Sequence, residues 1–318
     1  MTIPIILLTF GLVILIFGAE ILVRGSASLA KKFGIPPLVI GLTIVAFGTS
    51  APELIVNMYS AYKGSADIAI GNIIGSNIAN ILLILGICTV IAPLKVKSNT
   101  VFKEIPFALL ALVLVFTMGN DIFFDQTNFN AITRTDGFSL IAMFAIFMIY
   151  TYGLTKINDS ESENIKAYSE LSSILMTIGG LIFLFIGGKV LVDNAVILAK
   201  IAGLSEALIG LTIVAVGTSL PELATSVIAT IHHHDDIAIG NIVGSNIFNV
   251  FWILGLTATF LQLPFNVNVN FDVLISVIAT SLLFLAMFVG KRHRLDRWQG
   301  ILFLILYVSY TGYLVYRG

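Results

Sequence analysis

Apolar residues along this chain recur in long runs, not in strict alternation. A membrane-spanning helix needs about 20 mainly apolar residues. Ten stretches approach that: 3–23, 36–62, 68–93, 102–119, 134–154, 170–192, 205–231, 237–262, 270–290 and 297–316. They are too long for strands of an outer-membrane barrel, which alternate in pieces of about ten residues. The pattern predicts an all-α integral membrane protein of about ten transmembrane helices. The first stretch lacks a basic leader. It carries Glu20 and Arg24 in place of a small-residue cleavage site, so it is expected to remain as a span.

Composition narrows the reading. Of 318 residues, 58% are hydrophobic and 11% charged, against about 25% charged in a soluble domain. That excludes an ordinary soluble enzyme, a disordered chain and a nucleic-acid binder with its basic excess. A net charge of −1 implies no strongly charged partner. Cys88, the single cysteine, excludes a disulfide framework and a thiolate metal site. The expected setting is a multi-pass protein in the bilayer of the cell membrane, with no enzymatic reaction and no cofactor. The sequence does not set the oligomeric state.

Basic residues orient the spans, because cytoplasmic loops are enriched in Lys and Arg. With the N-terminus outside, twelve fall in inner segments: Arg24, Lys31, Lys32, Lys95, Lys97, Lys103, Lys156, Lys166, Lys291, Arg292, Arg294 and Arg297. Five fall outside: Lys63, Arg134, Lys189, Lys200 and Arg317. Both termini are therefore expected outside. The acidic stretch 156–169, with Asp159, Glu161 and Glu163, reads as a cytoplasmic linker.

Self-comparison adds most. Residues 39–86 and 208–255 align without a gap at an offset of 169, with 28 of 48 positions identical. The expected organisation is a first five-helix repeat over 1–155 and a second over 170–318. A second copy that enters after five crossings runs the other way through the membrane, which makes the repeats inverted. The loops before the fifth and tenth spans agree. One holds Asp121, Asp125, Arg134 and Asp136; the other holds Lys291, Arg292, Arg294 and Arg297.

Both copies interrupt a span with the same motif, Gly48-Thr49-Ser50-Ala51-Pro52-Glu53 and Gly217-Thr218-Ser219-Leu220-Pro221-Glu222. Proline kinks a helix and removes a hydrogen bond. Freed carbonyls at membrane depth are tolerated only beside a cavity or inside protein. Glycine- or proline-broken helices at matching points of two halves point to a secondary transporter with its site at the repeat interface. Glu53 and Glu222 lie about mid-span, where a charge costs at least about 2.5–3.5 kcal/mol. Each is expected to pair with a cation, to take a proton, or both. Thr49, Ser50, Thr218 and Ser219 offer hydroxyl oxygens, and Ala46 and Ala215 offer backbone carbonyls. Hard cations such as Ca²⁺ and Na⁺ want oxygen ligands. The absence of Cys and His near these motifs argues against softer metals.

A second motif runs from Gly71 to Asn80 and again from Gly240 to Asn249. Helical spacing sets Asn72, Ser76 and Asn80 on one face, and likewise Asn241, Ser245 and Asn249. Ser76, Ser245, Asn80 and Asn249 are expected to coordinate a cation or position a carboxylate. Asn77 and Asn246 lie off that face, where joining helices is an equal reading. The Gly71/Gly75 and Gly240/Gly244 pairs permit close helix approach. Asp67 and Asp236 read as helix caps. His232, His233 and His234 read as a solvated loop, with a weak regulatory site the lesser reading. Cys88 and Trp252 read as packing or lipid-facing residues. Tyr307, Tyr310, Tyr313 and Tyr316 read as an interfacial set.

The paired GTS-x-PE and GN-(I/V)-(I/V)-GSN-x-x-N motifs resemble the two α-repeats of the cation/Ca²⁺ exchanger superfamily, most closely the prokaryotic sodium/calcium exchangers. The resemblance implies ten helices, with spans 2, 3, 7 and 8 holding the ions while spans 1 and 6 slide across them. It implies Na⁺ entry driving Ca²⁺ extrusion across a prokaryotic plasma membrane. It implies ion ligands at Glu53, Glu222, Thr49, Ser50, Thr218, Ser219, Ser76, Ser245 and the Ala46 and Ala215 carbonyls. Some relatives carry Asp at one position matching Asn80 or Asn249; this chain has Asn at both. Two carboxylates balance one Ca²⁺ or two Na⁺. A Ca²⁺/H⁺ or K⁺-dependent antiporter, a channel and a non-transporting membrane sensor are the alternatives. No G-x-x-x-x-G-K-[ST] motif for an ATP-driven pump is present.

Overall fold

The computed structural model describes residues 2–126, 128–156, 166–202 and 215–317. These are almost wholly helical. Helix α1 spans Thr2–Phe33, α2 Pro37–Thr49, α3 Ala51–Tyr62, α4 Ala66–Ile91, α5 Thr100–Met118 and α6 Arg134–Leu154. Helix α7 spans Glu170–Ile201, α8 Ala215–Thr218, α9 Leu220–Ile231, α10 Asp235–Phe260, α11 Val269–Ala286 and α12 Arg297–Arg317. Eight of these are long and apolar enough to cross a bilayer, and the bent pair α2–α3 makes a ninth among the described residues. Nine of the ten expected spans thus have their helix. Of the seventh, the described residues include only its second part. Asp159, Glu161 and Glu163 fall outside them.

Two helices outrun the sequence reading. The apolar stretches of the first and sixth spans end near 23 and 192, yet α1 and α7 run on to Phe33 and Ile201, 32 residues each. At 1.5 Å per residue that is about 48 Å, well beyond the roughly 30 Å hydrocarbon core. Helix α1 stops only where Gly34 adopts φ +62° ahead of Pro36. Arg24, Lys31 and Lys32 therefore ride on its last turns and not in a loop.

Glycines hold the two long helices together. A Cβ at Gly11 would lie 2.7 Å from the Leu191 nitrogen and 3.0 Å from the Gly187 carbonyl. One at Gly18 would lie 2.7 Å from the Leu184 nitrogen and 3.0 Å from the Gly180 carbonyl. The backbones touch, as small residues allow in a membrane where packing drives association. The partner number falls as the α1 number rises, so α1 and α7 are antiparallel.

Helices α4 and α10 form the centre. Their apolar stretches are the most buried of all the spans, while α1, α6, α7 and α12 turn apolar faces outward. Ile3, Phe10, Leu175, Ile182, Ile305 and Val308 are among the exposed residues. Gly240 and Gly244 of α10 press on α2, as their spacing predicts. Their Cβ atoms would meet the Leu38 carbonyl and the Ala46 Cβ, both at 2.9 Å. No described residue lies that close to Gly71 or Gly75. Both central helices widen into a π-helical turn, at Ala79–Leu85 and at Phe248–Leu254, matching positions of the two copies.

The ends are tied in pairs. Strand β1 (Leu94–Lys95) pairs with β4 (Arg294–Leu295), and β2 (Ala131–Ile132) with β3 (Leu263–Pro264), both antiparallel. Arg134 donates to the Phe260 carbonyl at the end of α10, and Arg297 to the Ile91 carbonyl at the end of α4. A cation there satisfies a helix C-terminus.

Some expectations change. Asp236 is no cap: its carboxylate pairs with Lys97 at 2.7 Å. The residues that do precede these helices, Ser65 and His234, make no side-chain cap bond either. His232 is not simply solvated, because its Nε2 lies 2.9 and 2.8 Å from the two Glu20 carboxylate oxygens and ties α9 to α1. His234 is partly buried, and that burial pushes its pKa below the usual imidazole value. Cys88 is buried and Trp252 packs on Phe144. The hydroxyl of Tyr310 donates to Asp272.

Candidate functional site

The broken spans deliver the site. Helices α2 and α3 meet at Ser50 with a bend of 45°, and Pro52 opens α3 where its missing N–H costs nothing. Leu220 and Pro221 open α9 in the same way after Ser219. Glu53 and Glu222 then fall in the first turn of α3 and α9, at the positive end of each helix. Each is only 1% exposed. Among the described residues no Lys, Arg or His forms an ion pair with either.

Among the described residues, the side-chain bonds to the two carboxylates cross between the copies or reach the central helices. Ser50 Oγ donates to Glu222 Oε1 at 2.9 Å and lies 3.0 Å from Ser245 Oγ. Ser245 Oγ reaches the same Glu222 oxygen at 3.4 Å. The counterpart set is Ser219 Oγ and Ser76 Oγ, each 3.4 Å from Glu53 Oε1 and 3.2 Å from one another. Thr49 donates to Asn241 Oδ1 at 3.0 Å, and Thr218 to Asn72 Oδ1 at 3.3 Å. Each pair of numbers exchanges under the 169 offset: 50 with 222 becomes 219 with 53.

The predicted polar faces of α4 and α10 both point inward. Asn72, Ser76 and Asn80 face the site from α4; Asn241, Ser245 and Asn249 face it from α10. Asn80 Nδ2 donates to Asn246 Oδ1, and Asn249 Nδ2 to Asn77 Oδ1, both at 2.9 Å. Asn77 and Asn246 thus belong to the same network. The Ala46 carbonyl accepts from the Ser50 N–H at 3.0 Å and from Thr49 Oγ1 at 3.4 Å. Ala215 begins α8, and of it only the helical backbone is described.

Sequence reasoning missed a supporting layer. Asn241 donates to Ser226 Oγ at 2.9 Å, and Asn57 donates to the Ala69 carbonyl at 2.7 Å. The signal was available: Asn57 and Ser226 are themselves 169 apart, although their residue types differ.

The chemistry of the donor set is plain. Glu53 Oε2, Glu222 Oε2, Asn80 Oδ1 and Asn249 Oδ1 are buried acceptors that take no hydrogen bond among the described residues. Leaving such atoms unpaired costs about 1–3 kcal/mol each, more for charged groups. A desolvated hard cation among carboxylate, amide and hydroxyl oxygens would satisfy all four. Among the described residues no group of three or more His, Cys, Asp or Glu could hold a metal, and the oxygens beside the two carboxylates are those of amides and hydroxyls.

The sodium/calcium exchanger protein family matches residues 3–153 and again 172–316. The sodium/calcium exchanger MaX1 of Methanosarcina acetivorans is 30% identical, with 99% of each chain covered. The inner membrane protein YrbG of Escherichia coli is 37% identical over 72% of this chain and 71% of its own. A solved structure of the sodium-calcium exchanger NCX_Mj, soaked with 10 mM Na⁺ and no Ca²⁺, superimposes with a TM-score of 0.83 at 34% identity, covering 97% of this chain and 98% of the other.

Proposed function

The chain belongs to the sodium/calcium exchanger protein family and is a multi-pass membrane protein, and from that premise we propose that it is a secondary antiporter exchanging Na⁺ for Ca²⁺ at one oxygen-lined site. The observation that carries this reading is the four buried acceptor oxygens of Glu53, Glu222, Asn80 and Asn249 that have no donor among the described residues. Thr49, Ser50, Thr218, Ser219, Ser76, Ser245 and the carbonyls of Ala46 and Ala215 complete the set. The Ala46 carbonyl already accepts two bonds, so it is a weaker ligand than the hydroxyls.

Ca²⁺ and Na⁺ draw on the same oxygens, so full binding of one excludes the other. The dianionic empty site is costly to carry past apolar surface, and the loaded site is not. That penalty permits exchange and suppresses leak. Access then alternates between the two faces.

We assign the chain two inverted five-helix repeats, 1–155 and 170–318, joined by the cytoplasmic linker 156–169, with ten helices and both termini outside. The two family matches support this division. The glycine contacts support the inversion. Gly11 meets Gly187 while Gly18 meets Gly180, and these are the same contact after exchange of copies. Two equivalent helices packed antiparallel are related by a two-fold axis across their length. For membrane-spanning helices that axis lies in the membrane plane.

The test is ⁴⁵Ca²⁺ uptake into vesicles driven by an outward Na⁺ gradient. The wild type takes up Ca²⁺; E53Q and E222Q do not. Wild-type uptake by either Gln variant refutes the assignment.

A further inference from the structure

The asparagines at the centre of the molecule do more than join helices. The backbone carbonyls of Asn77 and Asn246 can only accept. Asn246 Nδ2 donates to the Asn77 carbonyl at 3.4 Å, and Asn77 Nδ2 to the Asn246 carbonyl at 3.3 Å. These bonds fix which end of each side-chain amide is nitrogen, because the flipped amide would set oxygen against oxygen. The Oδ1 atoms of Asn77 and Asn246 are left to accept, and each takes one bond. Asn80 Nδ2 donates to Asn246 Oδ1 and Asn249 Nδ2 to Asn77 Oδ1, both at 2.9 Å. With their nitrogens committed, Asn80 and Asn249 have only Oδ1 to offer the site. Those are two of the four buried oxygens without a donor among the described residues.

We propose that Asn77 and Asn246 are positioning residues that lock the amides of Asn80 and Asn249 with oxygen, not NH₂, turned toward the transported cation. This rests on the reading of Asn80 and Asn249 as ligands. A free amide chooses its sense, and the wrong sense presents two N–H groups to a cation. Here the sense is set by a backbone carbonyl on the other central helix. Each half thereby orients the ligand of the other: Asn246 acts on Asn80, and Asn77 acts on Asn249. Outer groups of this kind typically govern 10–100-fold in metal affinity.

A double-mutant cycle separates positioning from packing. Reconstituted protein is assayed for Na⁺-driven ⁴⁵Ca²⁺ uptake, with the KM for Ca²⁺ and the maximal rate read separately. N77L removes the acceptor at similar volume and is expected to raise the KM about tenfold or more, with a smaller effect on maximal rate. N249D presents an oxygen in either sense and has no nitrogen to misplace. Added to N249D, N77L is expected to change the KM by no more than about twofold, the scatter of independent sites. The reciprocal cycle, N246L with N80D, shows the same pattern. An equal loss of affinity in both backgrounds overturns the proposal, as does an equal loss of membrane-inserted protein or an N77L protein with wild-type KM. Failure of the underlying reading looks different: the wild type then shows no Na⁺-driven uptake, or E53Q retains it.

Discussion

Replacing Gly187 with alanine tests the seam between α1 and α7 atom by atom. A Cβ at Gly187 would sit 2.5 Å from the Leu15 nitrogen and 2.9 Å from both the Gly11 carbonyl and the Leu15 Cα. Ordinary van der Waals contact begins near 3.4 Å, so the deficit is about 0.9 Å. All three neighbours are backbone atoms of a helix, so no side chain can turn aside and the two axes must separate. Overpacking of this kind costs typically about 1–3 kcal/mol. Alanine regains about 1 kcal/mol of helix propensity over glycine, which leaves a net loss up to about 2 kcal/mol. G179A on the same helix is the control, because a Cβ at Gly179 meets nothing within 4 Å. Thermal unfolding in detergent reads both. G187A is expected to melt several degrees below the wild type and G179A at or above it. Equal melting temperatures for the two variants would show that α1 and α7 are not in backbone contact.

Three further outcomes follow from the geometry. S50A is expected to raise the Ca²⁺ KM more than S219A, because Ser50 reaches Glu222 at 2.9 Å while Ser219 reaches Glu53 only at 3.4 Å; equal effects in vesicle uptake would contradict this. H232A removes the tie between α9 and Glu20, a partly exposed pair worth up to about 1 kcal/mol. E20Q is expected to change unfolding less in the H232A background than alone, and an equal change in both would show that the two side chains do not interact. A single cysteine placed at Asp159 in a C88A background is expected to react with a membrane-impermeant thiol reagent only from the cytoplasmic face, while one at Gly318 reacts only from outside. Labelling from the opposite faces would invert the proposed topology.

Much of the site was legible because the chain states it twice. A carboxylate after a Gly-Thr-Ser-x-Pro turn could be incidental once; two of them 169 residues apart marked Glu53 and Glu222, and helical spacing added Ser76, Asn80, Ser245 and Asn249. Periodicity tells which face of a helix is polar, but not which helix it meets. The pairing of Ser50 with Glu222 across 172 residues therefore had no local signal. Asn77 and Asn246 were half-hidden for the same reason: they lie off the polar face, and their roles depend on a carbonyl of the other copy. Span lengths failed at Glu20 and Arg24. Charges normally close a hydrophobic stretch, but these two pair with one another and Glu20 also meets His232, so α1 runs on.

Ca²⁺ and Na⁺ are proposed to share the oxygens of Glu53 and Glu222. Equilibrium ⁴⁵Ca²⁺ binding to the purified protein at rising Na⁺ measures this directly. Na⁺ is expected to compete Ca²⁺ off the wild type, and E53Q/E222Q to bind no Ca²⁺ at the same concentrations. Ca²⁺ binding that ignores Na⁺, or that survives in E53Q/E222Q, would contradict it.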